Sequence, residues 1–434
     1  MSESTPLIED PTPGQRSLMQ TVNVATVKTL KSSPVNWLLI FVPIGILSEK
    51  LDFKPSLIFM TNFMAIIPLA SLLAFATEEL GESINNNSVA GLLNATFGNA
   101  VEVIVSIIAL RQNQITVVQS SMIGSILSNL LLVLGSCFVV GGLKFREQFF
   151  NQTAAQTMGS LLAVSVMSLL LPAAFHASIP QNSKHSDAEI LSFSRGTSII
   201  LLFVYVLYMV FQLRSHAYLF ADSNDHSVNP SADIEAPFNT EDDINNSNLP
   251  TLSNQRSHSS NFINRPKSIY DVDMLGEIHL NYIESLVVLI LSTVLVSVCA
   301  DNLVSTIDDI VQSSGLSKTF IGLIVIPIVG NAAEHVTAIY VAYKNKMDLA
   351  IGVAIGSSLQ IALFVTPLLV LVGWVMDVSM SLYFSVYQTA VIFVSVFITN
   401  SLILDGSSNW LEGAMLVAAY FVIAISFYQF PDVN

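Results

Sequence analysis

The chain has 434 residues, of which 52% are hydrophobic and only 11% are Asp, Glu, Lys or Arg. A soluble globular domain carries about 25% charged residues, so this composition excludes an ordinary soluble protein. The net charge of −15 excludes a nucleic-acid partner, which selects basic surfaces, and is compatible with cation handling.

Residues 1–33 are polar and hold no apolar signal-peptide core. Within them Glu3-Ser4-Thr5-Pro6-Leu7-Ile8 fits the acidic dileucine pattern of membrane sorting signals, a short pattern that also arises by chance. Apolar runs on the scale needed to cross roughly 30 Å of hydrocarbon then follow at about 34–50, 56–77, 89–110, 117–141, 153–176 and 195–219. Five more lie at about 281–305, 317–343, 347–374, 379–403 and 409–430. The pattern predicts an all-α polytopic membrane protein with about 11 transmembrane helices. Between the two sets, residues 220–280 are rich in Asp, Asn, Ser and Pro and lack helical periodicity until about Tyr270, as expected of a flexible acidic linker. Cys137 and Cys299 lie inside apolar runs and read as buried thiols, not a disulfide framework.

Lys and Arg concentrate on the cytosolic side of membrane proteins. A cytosolic N-terminus puts the larger share of the 17 Lys and Arg residues on that side, among them Arg16, Lys144, Arg146, Lys344 and Lys346. The linker is then cytosolic and the C-terminus lies on the far side. Asn151-Gln152-Thr153 matches a glycosylation sequon, but its cytosolic placement predicts no glycan.

The sequence repeats itself. Gly98-Asn99-Ala100-Val101-Glu102 recurs as Gly330-Asn331-Ala332-Ala333-Glu334, 232 residues on, and Gly124-Ser125 recurs as Gly356-Ser357 at the same offset. Upstream, Glu78-Glu79 is matched by Asp308-Asp309 at nearly the same spacing. The two glycine-asparagine motifs fall in the third and eighth runs, so the copies cross the membrane in opposite directions, the inverted-repeat plan of secondary transporters. The domain reading is a tail (1–33), a peripheral first helix (34–50), a first five-helix repeat (56–219), the linker (220–280) and a second five-helix repeat (281–430).

Glu102 and Glu334 sit about mid-way along their apolar runs. A charged side chain there costs roughly 2.5–3.5 kcal/mol on insertion scales, so such residues face the protein interior. Desolvation disfavours the bare carboxylates. Two protons neutralise the pair and one divalent cation does the same, which is the electrostatic requirement for exchange. Helical spacing sets Asn99, Glu102 and Ser106 on one face, and Asn331, Glu334 and Ala338 on the matching one. Ser125, Ser128 and Asn129, with Ser357, Ser358 and Gln360, add hydroxyl and amide oxygens, a donor set suited to Ca²⁺. No Cys, Met or His cluster favours a soft metal. Gly98 and Gly330 allow close helix approach or a break that frees carbonyls, and Pro327 supports a break in the second copy only.

The expected cation ligands are thus Glu102, Glu334, Asn99, Asn331, Gly98, Gly330, Ser125, Ser128, Ser357 and Gln360. The lone serines read equally as helix-packing residues. His335 follows Glu334 and could move protons alongside the glutamates, or merely pack between helices. Glu78, Glu79 and Glu82 at one span end, and Asp308 and Asp309 at the other, suit cation-attracting vestibules or solvated helix ends. Asp301 reads as deeper and as a weaker candidate, and Asp405 and Glu412 as solvated. The linker acids Asp222, Asp225, Asp233, Glu235, Glu241, Asp242 and Asp243 have no EF-hand spacing. They read as a solvated loop, with a regulatory Ca²⁺ site as the other reading.

These residues resemble the cation/proton exchanger (CAX) family of the calcium/cation antiporter superfamily, especially its fungal vacuolar Ca²⁺/H⁺ exchangers. Asn94-Ala95-Thr96-Phe97-Gly98-Asn99-Ala100-Val101-Glu102 is similar to the first family signature, and Gly330-Asn331-Ala332-Ala333-Glu334-His335-Val336 to the second. Gly356-Ser357-Ser358-Leu359-Gln360 and Asn409-Trp410-Leu411-Glu412-Gly413 are also similar to the family. The resemblance covers about 33–215 and 280–430. It implies a peripheral helix with two bundles of five. It also implies Glu102 and Glu334 as the exchanging pair with Asn99, Asn331 and Gln360 nearby, and vacuolar uptake driven by lumenal acid. The family carries an acidic helix between the sixth and seventh spans, whereas here that region is longer and its acids are dispersed. Ca²⁺ enters as transported substrate, with no cofactor. The expected partners are Ca²⁺, H⁺ and the bilayer, and a homo-oligomer stays open. Rival readings are Mn²⁺ as substrate, Na⁺ as counter-ion, or a cation channel built from acidic rings. An intramembrane hydrolase would need a His-Glu-x-x-His, a Gly-x-Ser-x-Gly or a Ser–His pairing at helical spacing, and the apolar runs hold none.

Overall fold

The computed structural model describes residues 26, 29–30, 32–84, 87–178, 186–220 and 280–430. The dileucine-like segment and the linker acids lie outside the described residues. A 3-10 segment, Pro34–Ile40, leads into α1 (Phe41–Lys50). The first half continues with α2 (Pro55–Ser83), α3 (Asn87–Phe97), α4 (Ala100–Arg111), α5 (Ile115–Phe145), α6 (Gln152–Ser178) and α7 (Ser186–Val210). The second half comprises α8 (Tyr282–Ser305), α9 (Ile307–Ser314), α10 (Lys318–Gly330), α11 (Ala332–Tyr343), α12 (Met347–Val375), α13 (Val386–Leu402) and α14 (Trp410–Tyr428).

Counting α8 and α9 as one, seven of the described helices are long and apolar enough to cross a membrane. The count is nine when α3–α4 and α10–α11 are each taken as one bent span. The 34–50 stretch and the shorter α13 occupy the places expected for the first and tenth spans. α13 begins later than the apolar run suggests because Ser385 and Gln388 form a capping box at its start.

The repeat is written in the backbone. α3–α4 bends by 41° and α10–α11 by 59° at the glycine-asparagine steps, so a break occurs in both copies and does not depend on Pro327. Asn113 and Asn345, also 232 apart, both take left-handed backbone (φ 57 and 62). They close equivalent turns, Gln114 N–H to Ala109 O at 2.8 Å and Lys346 N–H to Val341 O at 2.9 Å. α5 and α12 each contain a π turn, Ser128–Val133 and Ile361–Val365. Such bulges recur at functional sites.

The halves interlock through glycines. α2 packs along α8, α6 along α13, and α5 crosses both α10 and α14. A Cβ on Gly135 would stand 2.9 Å from Gly413 O, and one on Gly322 would stand 2.8 Å from Val117 O, so only small residues let these backbones approach. After α5, strand β1 (Glu147–Phe149) pairs antiparallel with β2 (Ser407–Asn409) of the second half. Gln148, buried in β1, donates to Ala342 O and Asn345 Oδ1, both at 2.9 Å. On the same face Glu79, at the end of α2, accepts the Leu280 N–H where the chain re-enters from the linker. This is the linker face.

Candidate cation-binding site

Each helix break ends in an asparagine that serves as N-cap of the next helix: Asn99 (φ −100, ψ 27) for α4 and Asn331 (φ −93, ψ 7) for α11. Asn99 therefore stands at the helix mouth and not one turn below Glu102 on a continuous face. Glu102 and Glu334 occupy the first turns of α4 and α11, where free N–H groups and the helix dipole favour negative charge.

The Glu102 carboxylate lies against the break of the other copy. It is 7% exposed, and a Cβ on Gly330 would stand 2.8 Å from its Oε1. Glu102 lines a small cavity of about 20 Å³ with Ser106, Ser121, Ser125, Pro327 and Gly330. Glu334 lines a far larger cavity of about 430 Å³ with Gly98, Asn94, Ser357 and Gln360. That cavity runs to the linker face past Glu78, Asn151 and Asp348. Each glutamate thus shares its cavity with the serine of its own copy, Ser125 or Ser357, and with the glycine of the other, Gly330 or Gly98. Val101 and Gly330 line both cavities and so stand between the two carboxylates' chambers.

The surrounding polar atoms are poorly partnered. Asn99 Oδ1, both side-chain heteroatoms of Asn129, both of Asn331 and Glu334 Oε2 have no hydrogen-bond partner among the described residues. Buried polar groups are as a rule bonded, and the unpartnered oxygens among these have the donor chemistry that a hard cation takes; Asn99, Asn129 and Asn331 themselves line neither cavity. Asn99 Nδ2 donates to Gln360 Oε1 at 2.6 Å, a bridge between the copies. Among the described residues no three His, Cys, Asp or Glu side chains form a group able to hold a metal ion. A cation here would draw on amides, hydroxyls and carbonyls besides the carboxylate pair.

Other candidates fall elsewhere. Ser128 and His335 line neither cavity; they pair with each other, Oγ to Nε2 at 3.1 Å. Glu78 lines the mouth of the large cavity, whereas Glu79 is buried. On the opposite face Asp308 pairs with Lys318 (2.5 Å) and accepts Gln114 Nε2 (2.8 Å), and Lys318 donates to Gln114 Oε1 (3.0 Å). Asp309 is exposed there. Asp301 is exposed as well and accepts Gln112 Nε2 at 2.9 Å, so it is shallower than the sequence suggests. Sequence reasoning missed Tyr205, whose hydroxyl donates to Ala95 O at 3.1 Å; one aromatic among many on an apolar helix gives no signal.

Comparison with known proteins agrees with this architecture. The family model described as sodium/calcium exchanger protein matches residues 54–214 and 284–429. A vacuolar calcium ion transporter of Schizosaccharomyces pombe is 44% identical over 96% of this chain and 90% of its own length. A Ca²⁺/H⁺ antiporter of Aphanothece halophytica is 38% identical over 91% and 96%. The crystal structure of the Ca²⁺/H⁺ antiporter protein YfkE superposes with a TM-score of 0.68 at 31% identity, covering 94% of this chain and all of that one. With both halves matched and relatives alike over nearly their whole length, the chain belongs to the sodium/calcium exchanger protein family.

Proposed function

We propose that this protein is a secondary antiporter that moves cytosolic Ca²⁺ into an acidic vacuolar lumen in exchange for H⁺ by alternating access. The observation that carries the proposal is the approach of Glu102 to Gly330, which brings a carboxylate of one inverted copy against the helix break of the other. Relatives named vacuolar calcium ion transporter and Ca²⁺/H⁺ antiporter support the choice of ions. The balance of Lys and Arg supports a cytosolic N-terminus and linker face and a lumenal C-terminus.

In this reading the large cavity is the cytosolic entrance. Ca²⁺ passes Glu78 and Asp348 and reaches Glu334 with Ser357, Gln360 and Gly98; Asn99, Asn331, Glu102, Gly330 and Ser125 complete its oxygen shell. The two carboxylates give up protons as the cation binds, so the site crosses the membrane nearly neutral in either form. On the far side the contacts of Asp308 and Asp301 hold the exit shut. When the halves rock, the lumen gains access, and protons driven by its acidity return to the glutamates and release Ca²⁺. Each pH unit supplies about 1.4 kcal/mol per proton.

The test is uptake of ⁴⁵Ca²⁺ into proteoliposomes under an imposed pH gradient. Glu102→Gln, and separately Glu334→Gln, should abolish it, and normal uptake by either variant removes the mechanism. Uptake that persists when the pH gradient is replaced by a Na⁺ gradient would assign Na⁺ as counter-ion, and Mn²⁺ that outcompetes Ca²⁺ would reassign the substrate.

A further inference from the structure

We infer that Tyr205 of α7 is a positioning residue for the cation site, clamping the first-copy helix break to the second-copy π turn. The inference rests on the exchange reading above and deepens it.

The argument begins with the backbone. A helix break releases carbonyls that the next turn would have used. In the second copy Asn331 N–H still reaches back to Pro327 O at 3.0 Å. The matching carbonyl of the first copy, 232 residues earlier, is Ala95 O, and it receives the Tyr205 hydroxyl at 3.1 Å. Tyr205 is 6% exposed, so this hydroxyl and carbonyl meet away from water, where leaving either unpaired is costly.

The ring does a second job. It stacks on Phe364, with centroids 5.0 Å apart and planes at 19°. Phe364 belongs to the π turn Ile361–Val365, which starts immediately after Gln360. Gln360 in turn accepts from Asn99, four residues beyond Ala95. Tyr205 therefore touches both supports of the Asn99–Gln360 bridge, the broken helix by its hydroxyl and the π turn by its ring. Neither contact is duplicated by His335 and Ser128, which pair at the π turn of α5. α7 also leads through Phe211–Ser215 and Ala217–Phe220 to the linker, and Leu219 and Phe220 line the cavity mouth. The clamp thus sits on the helix that joins the linker to the site.

The test uses the full-length protein in proteoliposomes. Tyr205→Phe keeps the stacked ring and removes the hydroxyl; Tyr208→Phe, one turn further along α7, is the control. Tyr205→Phe should raise the KM for Ca²⁺ about fivefold, the scale of one lost neutral hydrogen bond, with Vmax and thermal midpoint close to wild type. Tyr208→Phe should leave KM unchanged. In a Gln360→Ala background, Tyr205→Phe should add little, because the two act through one bridge. An unchanged KM for Tyr205→Phe, or full additivity with Gln360→Ala, overturns the inference. A wild-type protein that takes up no Ca²⁺ under a pH gradient instead overturns the exchange reading itself, so the two failures are separable.

Discussion

Glu102 and Gly330 are in contact across the two halves of the chain, and the contact leaves no room for a methyl group. A Cβ at position 330 would stand 2.8 Å from Glu102 Oε1 and 3.3 Å from its Cδ. The obstructing atoms are the end of a flexible side chain, so Gly330→Ala should fold with a near-normal thermal midpoint while its carboxylate is pushed out of place. ΔpH-driven Ca²⁺ uptake should fall at least about tenfold, as for a site displaced by roughly 1 Å. Wild-type uptake would sink the idea that this packing sets the site.

The matched glycines Gly124 and Gly356 make a second test, because the repeat treats them unequally. A Cβ on Gly124 would collide with the backbone of Leu323, including its carbonyl oxygen, whereas one on Gly356 meets nothing within 4 Å. Backbone cannot turn aside as a side chain can. Gly124→Ala should destabilise by about 1–3 kcal/mol, and Gly356→Ala should be neutral or gain up to about 1 kcal/mol from helix propensity. Thermal midpoints in detergent measure both; equal shifts would contradict the asymmetry.

Lys318, Asp308 and Gln114 tie α9, α10 and the turn before α5 together on the face away from the large cavity. Lys318 and Asp308 are 33% and 52% exposed, so the tie is worth about 1 kcal/mol at most. Lys318→Met should weaken apparent Ca²⁺ affinity from the linker face by no more than about fivefold, because fewer molecules are held in the state open to that face. The difference should shrink as salt is raised on the opposite side. An affinity identical to wild type at low salt would remove Asp308 and Lys318 from the gating argument.

The parts of this architecture visible in sequence are those that chemistry repeats. The glycine-asparagine-alanine steps and their glutamates announce the inverted copies, and Asn113 and Asn345 carry the same offset into the backbone. Span existence was legible because apolar length is a physical requirement of the bilayer. Features that depend on tertiary packing were not legible. The π turns at Ser128–Val133 and Ile361–Val365 share no residue pattern: the first opens on Ser128 and Asn129, and the second is wholly apolar. Ser128 looked like Ser125, yet it faces His335 while Ser125 lines the cavity of Glu102. Nor does a three-residue strand such as Glu147–Phe149 declare itself when its partner lies 260 positions away.

The last prediction concerns protons on the loading side. If Ca²⁺ and H⁺ compete for the same two carboxylates, lowering the pH at the linker face fills them with protons and the cation must displace them. The sign is fixed by linkage: the empty site binds more protons than the loaded one, so acid weakens Ca²⁺ binding. Where both carboxylates hold protons, apparent KM should rise by up to about a hundredfold per pH unit, a tenfold factor for each proton displaced. In Glu102→Gln only Glu334 remains to titrate, so in equilibrium ⁴⁵Ca²⁺ binding, which survives the loss of transport, log Kd should fall by about one per unit rise in pH and not by about two. A binding constant independent of pH would mean that the glutamates do not carry the exchanged protons, whatever else they hold.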